Sequence, residues 1–213
     1  MDETTWNVRE TAATQTRYDR IAPLYDFMEA LIERWRFSNW RERAWSLVTG
    51  PQVLEVGVGT GKNVSYYPPN VHITGVDLSD KMLDRARRRV ERQGSPVMLF
   101  QMDAQALKFP DGVFDSAIAT FVFCSVPDPI LGLQEMARVV KPGGRIVLLD
   151  HVRSENRLLG RLMDWLDPLV VRLMGPHINR RTVENVRRAG LTIERVEDVG
   201  AGGIVKLIVA RQD

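Results

Sequence analysis

Residues 55–61 read Glu-Val-Gly-Val-Gly-Thr-Gly, and Asp77 closes the next apolar run. Val53-Leu54-Glu55-Val56 is short and rich in β-branched residues, which predicts a buried strand. Gly57, Gly59 and Gly61 let the chain turn sharply and approach a ligand closely. Lys62 onward can open a helix. Val71 through Asp77 predicts a second strand with a carboxylate at its tip. A carboxylate there can accept hydrogen bonds from both hydroxyls of a ribose. The pattern points to a nucleoside-binding β-α unit.

The spacing of the glycines narrows the nucleoside. A dinucleotide fingerprint, G-x-G-x-x-G, needs a third glycine five residues after Gly57, where this chain has Lys62. The pattern here is G-x-G-x-G behind acidic Glu55. It resembles the first motif of the class I S-adenosylmethionine methyltransferases, whose glycine loop passes under the methionine part of the cofactor. The resemblance implies a Rossmann-like α/β fold with a mostly parallel central sheet, and S-adenosylmethionine as cofactor with S-adenosylhomocysteine as product.

The rest of the chain alternates as such a fold requires. Gly50-Pro51 marks a boundary. Ser79 is a candidate N-cap for a helix through Met82 and Leu83 to about Arg92, with Gly94 beyond its end. Pro96–Phe100, Val113–Thr120 and Arg145–Asp150 predict further strands. Pro129–Val140 predicts a helix closed by Lys141-Pro142-Gly143-Gly144. Asn179 or Thr182 would cap a helix ending at Gly190. Leu191–Val199 and Ile204–Ala210 predict a closing antiparallel hairpin across Gly200–Gly203. Alternating β and α elements place ligands beyond the carboxyl ends of parallel strands.

The 213 residues suit one domain. We expect residues 1–50 to form an amphipathic helical lid and 51–213 a Rossmann-like core, with a helical insertion near 154–176. The formal net charge of +2 offers no global field for nucleic acid. The one cysteine, Cys124, excludes an internal disulfide and fits a reducing compartment. The start of the chain lacks the basic and apolar regions of a signal peptide. No apolar stretch reaches the ~18 residues of a membrane span. These features predict a cytoplasmic protein with no metal, nucleic-acid or protein partner.

The resemblance extends over most of the chain. Asp103-Ala104 matches the acidic motif after strand three, which holds the adenine edge. Phe114–Thr120 matches the fourth motif, and Leu133–Gly144 the helix and turn before strand five. By the same resemblance Tyr18, Leu78, Met82, Thr120 and Phe121 join Glu55, the three glycines and Asp77 at the cofactor. Tyr18-Asp19-Arg20-Ile21-Ala22-Pro23-Leu24-Tyr25-Asp26 resembles the Y-D-x-x-A-x-x-Y-D segment of two groups. These are the bacterial phosphatidylethanolamine N-methyltransferases and the ubiquinone/menaquinone C-methyltransferases. In them the segment folds over the cofactor, and its tyrosines, here Tyr18 and Tyr25, face cofactor and substrate.

Two segments point to an amphiphilic acceptor. Phe27 through Val48 interleaves Trp35, Trp40 and Trp45 with Arg34, Arg36, Arg41 and Arg43. That pattern suits an interfacial helix, and equally a lid packed on the domain. Leu158–Met174 is strongly apolar, and residues 151–190 hold eight arginines against four acids. A basic rim around apolar surface suits anionic lipid or lines a pocket for a hydrophobic molecule. A peripheral position on the inner face of the membrane follows from the first reading of each.

Methyl transfer to an amine needs a deprotonated nucleophile, and a carbon or phenol nucleophile needs a base. His151 and His177 are the candidates, while His72 lies within strand two. Arg180 or Arg181 could hold a phosphate or carboxylate. The loop Phe121-Val122-Phe123-Cys124-Ser125-Val126-Pro127 lacks the N/D-P-P-Y/F motif of many nucleobase and protein methyltransferases. It also has Cys124-Ser125 where the quinone enzymes usually carry Arg-Asn. Tyr25, Cys124, His151, His177 and Arg180 are the expected substrate residues. The expected reaction is methylation of an amphiphilic amine such as the phosphatidylethanolamine headgroup. The alternatives are C-methylation of a prenylated quinone precursor, a small-thiol or xenobiotic methyltransferase, and a non-catalytic S-adenosylmethionine-binding module.

Overall fold

The structure, a computed structural model, describes residues 7–20, 22 and 37–212. Residues 7–20 form α1. The remaining helices are α2 (Phe37–Trp45), α3 (Asp80–Gln93), α4 (Pro129–Val139), α5 (Arg157–Met174) and α6 (Thr182–Arg188). The strands are β1 (Gln52–Val56), β2 (His72–Asp77), β3 (Val97–Gln101), β4 (Phe114–Thr120), β5 (Val140–His151), β6 (Thr192–Asp198) and β7 (Val205–Arg211). They make one sheet in the order β3-β2-β1-β4-β5-β7-β6. Strands β1 to β5 pair in parallel, and β7 runs antiparallel to both β5 and β6. This is the expected α/β architecture with its antiparallel hairpin.

Burial on both faces explains the apolar strands. On one face Leu54, Ala117, Ile146 and Leu148 pack against Leu133 and Met136 of α4 and Val186 of α6. On the other, Val53, Ile118, Val147 and Leu149 pack with Ala44 and Trp45 of α2. Neighbouring residues such as Val53 and Leu54 thus serve opposite faces.

Local signals set the helix ends. The Ser79 hydroxyl accepts from the Met82 N–H at 3.2 Å, and Gly94 ends α3 at a left-handed φ of 61°. Asp128 caps α4 through the Ile130 and Leu131 N–H groups, and Asn156 caps α5. Three expectations need correction. Lys62–Tyr66 is a short 3-10 helix rather than an α-helix. Lys141–Gly144 falls within β5, with a turn at Gly143, φ 75°. The N-cap of α6 is Arg181, without a side-chain bond; the Thr182 hydroxyl turns instead to Asp150, 3.5 Å away.

The interfacial reading of the front helix also fails for the part described. Trp45 is 1% exposed and Arg41 6%, and Trp40 is half-buried. The second face of the sheet takes the indole of Trp45, its ring tilted against that of Tyr67 at 4.6 Å, so neither Arg41 nor Trp45 is available to a membrane. Trp35 and the rest of 23–36 lie outside the described residues. Among the described residues no helix is long and apolar enough to cross a membrane.

Candidate active site

The carboxyl ends of β3, β2, β1 and β4 stand side by side and open into a cleft with a cavity volume of about 120 Å³. The tip of β3 leads to Met102, Asp103 and Ala104, that of β2 to Asp77 and Leu78, that of β1 to Gly57 and Gly59, and that of β4 to Thr120 and Phe121. Backbone geometry explains the glycines. Gly57 has φ 72°, and a Cβ there would stand 2.3 Å from Val122 Cγ2. Gly61, at φ 80°, brings the loop to 3.0 Å from the Ala86 backbone of α3, measured to the same notional atom. At Gly59 such an atom would meet nothing within 4 Å and would stand in open space.

Asp77 is held by backbone. Its Oδ2 accepts from the Gly59 N–H at 2.7 Å and its Oδ1 from the Ser79 N–H at 2.9 Å. Burial pushes its pKa up to about 6 against the pull of those two bonds. Asp103 sits in a similar small turn, accepting from the Gln105 N–H at 2.9 Å. Met82 reaches the same cleft from α3.

Helix α1 closes over this end. The Tyr18 hydroxyl lies 2.5 Å from that of Ser125. The Ser79 hydroxyl donates to Asp19 at 2.5 Å, and the Gln105 amide donates to Thr11 at 3.0 Å. The cleft therefore has a lid pinned at the loops after β4, β2 and β3. Tyr18 is half-buried, and its desolvation there holds its phenol well above the usual range and so protonated. Tyr25 falls outside the described residues.

Beneath the glycine loop lies a polar cluster. Glu55 does not line the cleft. It is fully buried and accepts from the Asn63 amide at 2.6 Å and from the Tyr67 hydroxyl. Burial raises its pKa, opposed by those bonds and by the Arg41 charge. Arg41 Nη1 donates to Asn63 Oδ1 and to Thr120 Oγ1, each at 2.9 Å. Its guanidinium stands 5.3 Å from the centre of the Phe121 ring. Arg41 was not legible as a site residue, because tryptophan–arginine spacing describes a surface helix equally well.

The substrate-side expectations divide. Ser125 lines the cleft, but its neighbour Cys124 is 2% exposed and does not. Burial and the nearby Asp150 raise the Cys124 thiol well above its usual range, which keeps it inert. Asp150 is itself buried, and its pKa is pushed up to about 7. Arg180 turns inward rather than toward a ligand: Nη2 donates to the Val126 carbonyl at 2.8 Å, with Asp150, Asp167 and Asp128 nearby. His151 lies behind the lining, its ring 4.8 Å from that of Phe121, and burial lowers its pKa. His177 is partly exposed. Its Nδ1 lies 2.8 Å from Asp167 Oδ2, and its N–H donates to the Cys124 carbonyl at 2.8 Å. Asp167 orients the imidazole, and the backbone bond ties the turn to the loop after β4; His177 itself does not line the cleft. Among the described residues no cluster suited to a metal ion forms.

This sheet order, with a glycine loop and an acidic strand tip at its switch point, defines a class I S-adenosylmethionine-dependent methyltransferase. Residues 54–148 match the family described as methyltransferase domain. A phosphatidylethanolamine N-methyltransferase of Cereibacter sphaeroides is 42% identical over 149 residues, covering 69% of this chain and 72% of that protein. The ubiquinone/menaquinone biosynthesis C-methyltransferase UbiE of Geobacter sulfurreducens is 36% identical over 74% of this chain and 65% of its own length. Among solved structures, the [4+2]-cyclase SpnF superposes with a TM-score of 0.72 at 20% identity, over 93% of this chain and 94% of that one. A geranyl diphosphate methyltransferase in complex with SAM superposes at 0.66 and 16%, over 82% and 84%. These two likenesses are of fold. The chain belongs to the class I methyltransferases, in the group that holds the phosphatidylethanolamine N-methyltransferases and the ubiquinone/menaquinone C-methyltransferases.

The residues present fit the cofactor. Asp77 is a fixed acceptor for a ribose diol, Gly59 leaves its side of the loop open, and Leu78 and Met82 supply apolar walls beside Asp103 and Ala104.

Proposed function

We propose that this chain methylates the amine of an amphiphile, the headgroup of phosphatidylethanolamine. The observation that carries this reading is the outer face of α5. Leu158, Leu162, Trp165 and Leu169 recur at i, i+4, i+7 and i+11 and are 80, 49, 77 and 56% exposed. Exposed Arg157, Arg161 and Arg172 accompany them. An apolar stripe with basic companions suits the surface of an anionic bilayer. The helix ends at Gly175, where an added Cβ would stand 3.0 Å from Arg17 Cδ and 3.7 Å from the Tyr18 hydroxyl. A headgroup delivered along α5 would meet the cleft at Tyr18. The protein would then act at the inner face of the membrane as a peripheral enzyme. The similarity to the Cereibacter enzyme supports the same acceptor.

When bound, S-adenosylmethionine supplies a methyl group on a cationic sulfur, open to in-line displacement. In this reading Asp77 holds the ribose, Asp103 and Ala104 the adenine edge, and Gly57 to Gly61 the chain leading to sulfur. His177, oriented by Asp167, takes the proton of the incoming ammonium, which leaves a neutral amine as nucleophile. Tyr18, kept protonated by burial, turns its oxygen and ring toward the cationic product. Phe121, backed by His151, helps to exclude water. Tyr25 joins Tyr18 on the strength of the motif alone.

A second reading is C-methylation of a prenylated quinone precursor. The Asp167–His177 pair favours it, since a carbon acid needs an oriented base. Label transfer from methyl-labelled S-adenosylmethionine into vesicles holding phosphatidylethanolamine and a demethylated prenyl quinone separates the two. Label in mono- or dimethylated phosphatidylethanolamine is expected. Label in the prenyl lipid alone would replace the first reading with the second.

A further inference from the structure

The order of the strand tips gives the cleft a direction. Asp103 follows β3 and Asp77 follows β2, so adenine and ribose occupy that end. The glycine loop follows β1, and Thr120 and Phe121 follow β4, so the amino-acid tail of the cofactor runs toward β4. That tail carries a carboxylate into a partly enclosed site, and a carboxylate leaving water needs a cation or several donors. Two cations line the cleft among the described residues, Arg41 and Lys62. Lys62 directly follows the glycine loop at the start of the 3-10 turn. Arg41 arrives from α2 at the β4 end and is anchored there by Thr120, Asn63 and the Phe121 ring. Asn63 stands between it and Glu55, bonding to both. A planar guanidinium already fixed in place loses little freedom on pairing with a carboxylate.

We propose that Arg41 pairs with the carboxylate of the cofactor's methionine tail, so that α2 is part of the cofactor site and selects for cofactors that retain that group. The competing role is a structural pin, in which Arg41 only fastens α2 to Asn63 and Thr120. The proposal holds for any methyl acceptor and stands apart from the phospholipid reading.

Calorimetric titration with S-adenosylmethionine and with its decarboxylated form separates the roles. The two ligands share nucleoside, sulfonium and amine. Wild type should prefer the carboxylated ligand by roughly ten- to a hundredfold, the scale of one charge-assisted bond. Arg41→Gln should erase most of that preference, leaving the decarboxylated ligand within about threefold of its wild-type affinity. Lys62→Gln should retain the preference. Equal weakening of both ligands by Arg41→Gln would reduce Arg41 to a pin and overturn the proposal. So would a wild type that does not discriminate, or loss of the preference in Lys62→Gln instead. Should Arg41→Gln melt too low to titrate, Arg41→Gln/Glu55→Gln removes both buried charges together, a change proteins tolerate better than removing one. The same ratio then decides.

Discussion

The two ends of the cleft are built from different parts. At the cofactor end, strand tips and backbone N–H groups hold the key carboxylate. Asp77 is fixed by Gly59 and Ser79 whatever the neighbouring side chains are. At the other end, side chains from α1 and the loop after β4 meet, as Tyr18 on Ser125, and the turn after α5 is tied to that loop through the His177 backbone. Backbone placement ties the first end to the sheet itself. Side-chain placement lets the second be rebuilt by a few substitutions without disturbing the strands. That is a physical reason why one fold can serve relatives named as N-methyltransferase and as C-methyltransferase.

Substitutions can test this contrast, beginning with the strongest. Asp77→Ala should weaken S-adenosylmethionine binding by about a hundredfold or more, because two ribose hydroxyls lose a charged acceptor. Retained affinity in a titration would break the assignment of that end. Tyr18→Phe should leave cofactor affinity within about twofold while slowing methyl transfer roughly tenfold. An equal loss in both would place Tyr18 with the cofactor and blur the two ends into one. Leu162→Glu/Trp165→Glu should cut sedimentation with anionic vesicles about tenfold, by loss of apolar area and added repulsion. Unchanged sedimentation would detach α5 from the membrane reading.

The smallest effect is in pH. Asp77 titrates at about 6 and Asp150 at about 7, both above an unfolded value near 4. Raised carboxyl values favour the protonated form in the folded chain. Their stabilisation is full below about pH 4 and is lost as pH rises through about 6 and about 7. With Asp77 holding the ribose as proposed, cofactor binding needs it ionised and so runs the other way. Affinity should fall about twofold at pH 6 and by about tenfold per unit below it. Asp150→Asn should flatten the decline in melting temperature between pH 5 and 7.5 without touching the binding curve. A binding curve that moved with Asp150 would couple the two ends.

The cofactor end was readable because its determinants are short-range. Positive φ at Gly57, Gly59 and Gly61, the Ser79 cap and the Gly94 stop each depend on a few adjacent residues. The misreadings share a cause. Glu55 lies two residues before Gly57 and points into the interior, so proximity to the motif did not put it in the cleft. Arg41 and Trp45 carry the pattern of an interfacial helix, yet the sheet's second face buries them. Arg180 has the composition of an anion site, but folding sets three carboxylates around it. The Asp167–His177 pair joins the middle of α5 to the turn beyond the helix, and no spacing rule marks that contact.

The succession of strands and helices, the glycine loop and its acidic partner were determined by the amino-acid sequence alone, since each rests on backbone conformation and a period of two or three and a half residues; the order of the strands in the sheet was not. Which amphipathic helix is buried and which stays exposed was settled in three dimensions. Both α2 and α5 carry apolar and basic residues, but the sheet has two faces to cover: α2 covers part of one, and the apolar stripe of α5 is left facing solvent.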